Sequence, residues 1–296
     1  MTFFTNLNPR TSIAVIAAGR LGSSLALAMD DKGYNVVAAS SRRASHRYWL
    51  SSQLEGLVTV GNAQAAVNLA DVIFITAPDS AIVEICSSID WRSEQVVLHC
   101  AGALPVKSLN SSADQGAIVG GFHPLQTFPT PDSADRLEGV CFAIEADELS
   151  LQSWLQTLAL NLGGSSIQMS SGQRAAYHAS AVMACGLLTG LSGLAAEMWA
   201  PLGIDRGEAL KRLMPLIRAS VDALDEQGLP SAMTGPFVRG DVQTVATHLA
   251  AINNISADVG RAYAALAYAS LHIAREQGGL SDHAFERITS VLSLED

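Results

Sequence analysis

The chain has 296 residues, of which 49% are hydrophobic and 16% charged, and its formal net charge is −10. This length exceeds what one hydrophobic core usually spans, so we expect two domains. The acidic balance argues against nucleic acid and anionic membranes as partners, because both require a basic protein surface. The four cysteines have no spacing suited to zinc. We therefore predict no metal site, and we expect buried free thiols in a reducing cytoplasm.

Short apolar runs alternate with helix-like segments in the first half of the chain. We predict strands at 13–17, 36–39, 72–76, 96–99, 118–121 and 140–144, and helices at 21–32, 63–69 and 81–89. Asn62 and Asp79 stand where helix N-caps are expected. A helix over 148–161 and a short strand at 167–169 close this region. The alternation is typical of a parallel sheet covered by helices on both faces.

The texture of the sequence changes near Ser170, where strand signals stop and long Ala/Leu-rich stretches begin. We therefore predict a first domain over residues 1–169 and an all-helical second domain over 170–296. The uncharged stretch from Ala175 to Ala196 is long enough to span a membrane. Because it contains several polar residues, among them Tyr177, His178 and Ser180, we expect instead a helix buried between domains or subunits.

Residues 13–22 read IAVIAAGRLG, which matches the dinucleotide fingerprint G-x-G-x-x-G except that Ala17 replaces its first glycine. Such a turn binds a pyrophosphate through free backbone N–H groups and the positive end of the helix dipole. We expect Ala17 to adopt β-region geometry, which alanine tolerates. A merely structural turn is the alternative. The predicted cofactor-binding residues of this turn are Ala18, Gly19, Arg20, Leu21 and Gly22.

The residues after the second predicted strand indicate which dinucleotide is bound. An NAD site usually carries an acid there for the ribose 2′-hydroxyl. This chain instead has Ser40, Ser41, Arg42 and Arg43. Guanidinium groups match phosphate oxygens bidentately, so the cluster favours the 2′-phosphate of NADP. A solvated basic patch is the alternative.

Two further loops are predicted to lie at the ligand-binding edge of the sheet. Ala77, Pro78 and Asp79 follow the strand predicted at 72–76, and Ala101 lies in the loop after the strand predicted at 96–99. Ligands of open α/β sheets bind at the carboxyl ends of the strands. We therefore expect the nicotinamide near these residues.

The candidate proton donors lie in two separate segments. His123 follows a strand within the segment GGFHPLQTF, and Pro124 restricts its backbone to extended geometry. An imidazole titrates in the range that a general acid needs. A loop histidine bonded to the backbone is the alternative. Tyr177 and His178 begin the long uncharged helix, and their alternative is a polar helix start packed under the sheet.

The candidate substrate-binding residues are Gln126, in the same segment as His123, and Arg239, in the segment TGPFVRGD. An arginine presented before a helix capped by Asp241 is suited to hold a substrate carboxylate. An ion pair of Arg239 with Asp241 or Glu208 is an equally supported alternative.

The segments GFHPLQTF and TGPFVRGD, with Tyr177-His178-Ala179 between them, resemble the family with Rossmann-like and DUF2520 domains. That family is similar to pyrroline-5-carboxylate reductases, coenzyme-F420-dependent NADP oxidoreductases and 6-phosphogluconate-type dehydrogenases. The resemblance implies a Rossmann-type doubly wound sheet, an all-α C-terminal domain, a homodimer built through that domain, NADP binding and an oxidoreductase activity. The chain departs from the family at Ala17, at Ala101-Gly102 in place of Ser-Gly, and at Cys185-Gly186 in place of Ser-Asn.

These features predict an NADPH-dependent reductase that acts on the C=O or C=N bond of a small carboxylate, such as a ketopantoate-like 2-oxo acid or a cyclic imine. The three lysines are Lys32, Lys107 and Lys211. Because none lies early in the helical domain, a β-hydroxyacid dehydrogenase mechanism is disfavoured. One alternative is a non-catalytic NADP-binding sensor or partner module. Another keeps the enzyme but replaces the nicotinamide chemistry with a deazaflavin partner.

Overall fold

The structure is a computed structural model that describes residues 7–293. Its contacts divide the chain into two compact units, and the division along the chain falls between Val182 and Met183. The sequence places the change of texture near Ser170, and the boundary at 169–170 stays a prediction. The residues from 170 to 182, which include Tyr177 and His178, group with the first unit.

The first unit contains an eight-stranded sheet in the order β3-β2-β1-β4-β5-β6-β7-β8. All neighbouring strands are parallel except β6 and β7, which pair antiparallel. This architecture confirms the predicted doubly wound α/β fold. The strands are β1 (Ile13–Ile16), β2 (Val36–Ser40), β3 (Val58–Val60), β4 (Val72–Ile75), β5 (Val96–His99), β6 (Ile118–Pro124), β7 (Cys141–Ala146) and β8 (Ser165–Gln168).

Helices follow most strands and cover the sheet. They are α1 (Arg20–Asp31), α2 (Ala44–Gln53), α3 (Ala63–Val67), α4 (Asp79–Ser87), α5 (Asn110–Ala113), α6 (Leu149–Asn161) and α7 (Arg174–Val182). Strand β4 shows why both faces must be covered. Val72 and Phe74 belong to one buried cluster, whereas Ile73 and Ile75 belong to the other. Alternate side chains of a strand point to opposite faces, so a continuous apolar run needs a core on each side.

The described residues of the second unit form helices and no strand, as predicted. Its helices are α8 (Leu188–Glu197), α9 (Arg206–Gln227), α10 (Pro236–Arg239), α11 (Val242–Ile255), α12 (Ala257–Glu276) and α13 (Asp282–Leu292). Asp241 caps α11 by accepting a hydrogen bond from the Thr244 N–H at 3.0 Å, which confirms the predicted cap. A small core lies among α11, α12 and α13, where Val245, Leu271 and Ile288 are buried.

Several local predictions were wrong. The sequence patterns missed β3 and α2. Asn62 is the predicted N-cap of α3, but Asp79 is the first residue of α4 and caps nothing with its side chain. His123 does not follow its strand. It lies inside β6, which continues to Pro124 because it gains a second partner in β7.

The helical stretch Ser171–Leu202 is long and apolar enough to cross a membrane by length and composition, with a mean hydropathy of 1.6. Only 6% of its most apolar window is buried within the chain. The chain therefore leaves this stretch largely uncovered, and its burial at a subunit interface stays a prediction. A membrane span is weakly supported by these properties alone.

Candidate active site

The fingerprint turn joins β1 to α1 at the carboxyl edge of the sheet. Ala17 has a φ of +60°, so the expectation of β-region geometry at this position was wrong. The turn needs the left-handed conformation that the fingerprint glycine normally supplies, and a methyl group disfavours it. Ser40 at the end of β2 holds the turn in place. Its carbonyl accepts from the Ala18 N–H at 2.8 Å, and its hydroxyl accepts from the Ala17 N–H at 3.4 Å.

The surroundings of the two remaining fingerprint glycines differ in whether they require a glycine. A Cβ atom at Gly22 would lie 2.2 Å from Thr76 Oγ1, so the close packing of α1 on β4 requires a glycine there. A Cβ atom at Gly19 would meet nothing nearer than the Ala17 carbonyl oxygen at 3.7 Å, and the φ of Gly19 is −97°. The chain itself therefore does not require a glycine at position 19. Its missing side chain leaves open the space above the N-terminus of α1.

Within residues 7–293, no side chain caps the N-terminus of α1. The first backbone N–H groups of a helix have no intrahelical partner, and they carry the positive end of the helix dipole. These groups, with the open space above Gly19, fit the pyrophosphate of a dinucleotide. The predicted residues 18–22 are therefore placed as such a site requires.

The loop after β2 contains the residues that are predicted to bind the 2′-phosphate of NADP. Arg42 and Arg43 are exposed, and neither forms an ion pair with any residue that the structure describes. Arg47 on α2 was not predicted as a site residue. Its guanidinium donates to the Ser41 carbonyl at 2.7 Å and to the Arg42 carbonyl at 3.2 Å, and so fixes the shape of the loop.

The predicted nicotinamide loops lie at the same edge of the sheet. Ala77 is buried, and Pro78 and Asp79 are exposed where α4 begins. Ala101 is also buried, and its N–H donates to His99 Nδ1 at 3.3 Å. Strands β4 and β5 are parallel neighbours, with Ile75 paired to His99. The two loops therefore leave the sheet side by side.

The three predicted catalytic side chains come together beside these loops, and we call them the His–Tyr cluster: His123, Tyr177 and His178. His123 Nδ1 and the Tyr177 hydroxyl are 2.9 Å apart. The rings of His123 and His178 meet edge to face with centroids 6.2 Å apart. A Cβ atom on Gly102 would lie 2.5 Å from His178 Nδ1 and 2.9 Å from His123 Nε2, so both imidazoles approach the backbone of this glycine closely.

Burial changes the protonation chemistry of the cluster. Burial, together with smaller effects from the charges of His178 and Arg174, lowers the pKa of His123 to about 4. The expectation that this imidazole titrates near neutral pH was therefore wrong, because its charged form is poorly solvated. Burial also raises the pKa of Tyr177 to about 12. At neutral pH the cluster holds a neutral imidazole of His123 and a protonated phenol.

The sequence reasoning missed a buried ion pair beneath the cluster. Arg174 is fully buried and its Nε donates to the Glu145 carboxylate. His99, also fully buried, lies near this pair, and burial followed by the charge of Arg174 lowers its pKa to about 4. One signal was available. Arg174, Tyr177 and His178 are spaced i, i+3 and i+4, which places all three on one face of a helix.

The predicted substrate residues are less directly supported. Gln126 is exposed and bonds within its own loop, where its side-chain Oε1 accepts from the Thr127 N–H at 2.7 Å. Arg239 is exposed at the end of α10 in the second unit. It lies near enough to lower the pKa of Asp241, after the larger effects of the hydrogen bonds from Thr244. Among the described residues it forms no ion pair with Asp241 or Glu208, and its role stays a prediction.

Two parts of the chain match known protein families. Residues 12–102 match the family described as NADP oxidoreductase coenzyme F420-dependent, and residues 140–270 match a domain of unknown function, DUF2520. The first match covers the fingerprint turn and the loops after β2, β4 and β5. The second covers the ion pair, Tyr177, His178 and Arg239. No curated protein matches the chain.

Solved structures share the fold over nearly the whole chain. A candidate NADP oxidoreductase from Bacteroides fragilis is 26% identical over 89% of this chain and 98% of its own, with a TM-score of 0.69. A reductive aminase from Aspergillus terreus, in complex with NADPH4, cyclohexanone and allyl amine, is 17% identical over 96% and 98% of the two chains, with a TM-score of 0.61. A 1-pyrroline-5-carboxylate reductase from Streptococcus pyogenes is 14% identical over 96% and 100%, with a TM-score of 0.59.

These findings confirm the recognition made from the sequence and support its NADP(H) cofactor and oxidoreductase class. Residues 12–102 are therefore similar to NADP oxidoreductases of the coenzyme F420-dependent type, and residues 140–270 are similar to DUF2520 domains.

Proposed function

We propose that this protein is an NADPH-dependent reductase of a C=O or C=N bond in a small carboxylate. The observation that carries the proposal is the hydrogen bond of 2.9 Å between His123 and Tyr177, next to the loops after β4 and β5. A reductase needs a proton donor beside the carbon that receives hydride. The His–Tyr cluster supplies a donor at the edge of the sheet where the fingerprint turn would hold the cofactor.

The chain divides the binding of the cofactor between two loops. The N–H groups at the start of α1 would hold the pyrophosphate, and Ser41, Arg42 and Arg43 would hold the 2′-phosphate. Bound NADPH supplies the hydride. Ala77 and Ala101 would line the nicotinamide ring, since both are small and buried where their strands end.

Tyr177 is the group that would protonate the substrate. Its phenol keeps its proton at neutral pH because burial raises the pKa to about 12. In the tautomer with hydrogen on Nδ1, His123 donates to the phenol oxygen and leaves the phenol hydrogen free to point at the substrate. When Tyr177 gives its proton to the substrate, the phenol oxygen receives the Nδ1 proton of His123. His123 then takes up a proton at Nε2 from water or from His178. The imidazole therefore stays neutral, as a pKa of about 4 requires.

Arg239 of the second unit stays a candidate for binding a substrate carboxylate, because its guanidinium forms no ion pair among residues 7–293. Gln126 stays a second candidate for this role. A cyclic imine and a 2-oxo acid both fit the proposal. Similarity to proteins named a reductive aminase and a pyrroline-5-carboxylate reductase favours a C=N substrate.

We further propose a cytoplasmic homodimer built through the uncovered stretch Ser171–Leu202. Large apolar side chains are exposed along it, including Met183, Leu187 and Leu191. Within the second unit, a cavity of about 500 Å³ with a mostly apolar lining lies beside α8. A second copy would remove this apolar surface from water. The cysteines are unpaired, which fits a reducing compartment.

The direct test is oxidation of NADPH by the purified protein with pooled 2-oxo acids and with pooled cyclic imines. The proposal expects substrate-dependent loss of NADPH absorbance with at least one pool. Tight NADPH binding without turnover on either pool would contradict it and favour the non-catalytic sensor. Absorbance of a co-purified deazaflavin would indicate the alternative redox partner.

A further inference from the structure

The side chain of Arg174 ties the start of α7 to two other segments of the first unit. Its Nε donates to the Glu145 carboxylate on β7. Its Nη1 donates to the carbonyl oxygens of Ala101 at 3.0 Å and Gly102 at 3.4 Å, in the loop after β5. One planar guanidinium therefore joins β7, α7 and one of the nicotinamide loops.

Glu145 accepts further hydrogen bonds besides its ion pair with Arg174. It is 8% exposed, and one of its oxygens accepts from the Ser171 hydroxyl and, at 3.4 Å, from the Val106 N–H. Ser171 lies in the turn that leads into α7. The carboxylate therefore holds the approach to α7, while its ion pair with Arg174 holds the first residue of the helix.

The fit of Arg174 against β6 is close enough to require a glycine. A Cβ atom at Gly121 would lie 2.2 Å from Arg174 Nη2. Gly121 is two residues before His123 on the same strand. The guanidinium thus rests directly beside the segment that presents His123, and any shift of the guanidinium would move α7 relative to that strand.

The geometry of α7 links the position of Arg174 to that of the His–Tyr cluster. Residues three and four positions apart lie on one face of a helix, so Arg174 sets the direction in which Tyr177 and His178 point. A buried ion pair commonly adds little net stability compared with well-packed apolar residues, because both charges lose their hydration. Its retention here is better explained by geometry than by stability.

We propose that Glu145 and Arg174 are positioning residues that set the hydrogen bond between Tyr177 and His123. This inference rests on the proposed reductase function for its kinetic consequences but not for its structural ones. Neither residue touches the reacting atoms. The pair acts by fixing α7 against the loop after β5 and against β6.

The test uses Arg174→Lys, which keeps the charge but loses the planar fork, and Glu145→Gln, which keeps the shape but loses the charge. In variants that fold, we expect NADPH affinity to change less than about twofold. We expect kcat to fall about 10- to 100-fold, as small misplacements of catalytic groups do. Adding Tyr177→Phe to Arg174→Lys should cost little more, because the Tyr177 contact is already lost.

A second readout does not depend on turnover. NMR titration of the histidine side chains follows His123 in the parent and in Arg174→Lys. The Nδ1 signal of His123 should lose its hydrogen-bonded shift in this variant, because Tyr177 no longer lies within 2.9 Å of it. If no substrate is turned over by the parent, the reductase proposal fails, and this titration still tests the positioning role.

Arg92 provides a matched control. It also binds one carboxylate, Asp71, and two backbone carbonyls, but beside the starts of β4 and β5 rather than their ends. Arg92→Lys should leave kcat and the His123 signals unchanged. The proposal is overturned if folded Arg174→Lys keeps both kcat and the His123 signals of the parent. It is also overturned if the effects of Arg174→Lys and Tyr177→Phe on kcat simply multiply.

Discussion

Ala17 shows how one methyl group changes the fingerprint turn. Its φ of +60° is a conformation that alanine adopts at a cost of about 1–2 kcal/mol. Glycine removes this cost but loses more conformational entropy on folding. We therefore expect Ala17→Gly to raise the free energy of unfolding by about 0.5–1 kcal/mol, measured by urea denaturation.

The neighbouring Ala18 is the matched control for this prediction. It is buried and is not among the residues with positive φ. Ala18→Gly should therefore lower the free energy of unfolding by about 0.5–1 kcal/mol. If the two substitutions destabilise the protein equally, Ala17 carries no strain.

His99 links stability to pH. Burial and the charge of Arg174 lower its pKa from 6.5 to about 4 in the folded protein. Between these values the unfolded chain binds more protons than the folded one, so stability is present above about pH 6.5 and is lost as the pH falls towards 4. His123 acts in the same direction.

We expect the parent to lose more stability than His99→Gln between neutral pH and about pH 4. The difference should be on the order of 3 kcal/mol, since one pKa unit corresponds to about 1.4 kcal/mol. Urea unfolding at both pH values measures it. The same pH dependence in both proteins would show that His99 titrates normally.

The residues also show where sequence reasoning stops. His123, Tyr177 and His178 could be proposed from the sequence because a histidine beside proline and a polar helix start are visible patterns. Glu145 was not found, because a single acid inside an apolar strand has no local signature of a buried partner 29 residues away. The positive φ of Ala17 was missed because alanine gives no sign of such a conformation.

The loop between β2 and α2 is the element that should decide cofactor preference. Arg42 and Arg43 are exposed there, and Arg47 fixes the loop. We expect NADPH to bind more tightly than NADH, and the double change of Arg42 and Arg43 to alanine should remove most of the difference. The loss is expected to be about 1.5–3 kcal/mol, measured by titration calorimetry.

Arg218 is a suitable control because it is an exposed arginine on α9 in the second unit. Arg218→Ala should not change either affinity. Equal affinities of the parent for NADPH and NADH would contradict the assignment of this loop to the 2′-phosphate.

The predicted elements were accurate where the hydrophobic pattern is strong. Strand β5 was predicted with its observed bounds, because a run of four residues that is mostly apolar ends there at a turn. Strand β3 has three residues and none is fully buried, so it carries little pattern. Helix α2 buries only Leu50 and therefore lacks an apolar stripe. Strand β6 was predicted too short because its last residues pair with β7, a long-range partner.

The whole molecule is predicted to be a dimer. The Ser171–Leu202 stretch is apolar and 6% buried in its most apolar window, so an isolated chain would expose it to water. We expect the protein to stay in solution without detergent and to show a dimer mass by light scattering. Replacing Met183 and Leu187 with glutamate should produce monomers, because charges would be buried at the interface.

Leu149 provides the control for the dimer prediction. It is 76% exposed on α6, within the first unit. Leu149→Glu should leave the dimer mass unchanged. A parent protein that is monomeric at micromolar concentration, or that partitions into membranes, would contradict the dimer.

The central claim is that Tyr177, hydrogen-bonded to His123, protonates the substrate of an NADPH-dependent reduction. The most direct measurement compares kcat and NADPH affinity in the parent, Tyr177→Phe, His123→Ala and His178→Ala on a substrate that the parent reduces. We expect Tyr177→Phe and His123→Ala each to lower kcat at least about tenfold while NADPH affinity changes less than about twofold. Full turnover by both variants would contradict the claim, and full turnover by these two with loss in His178→Ala would move the donor to His178.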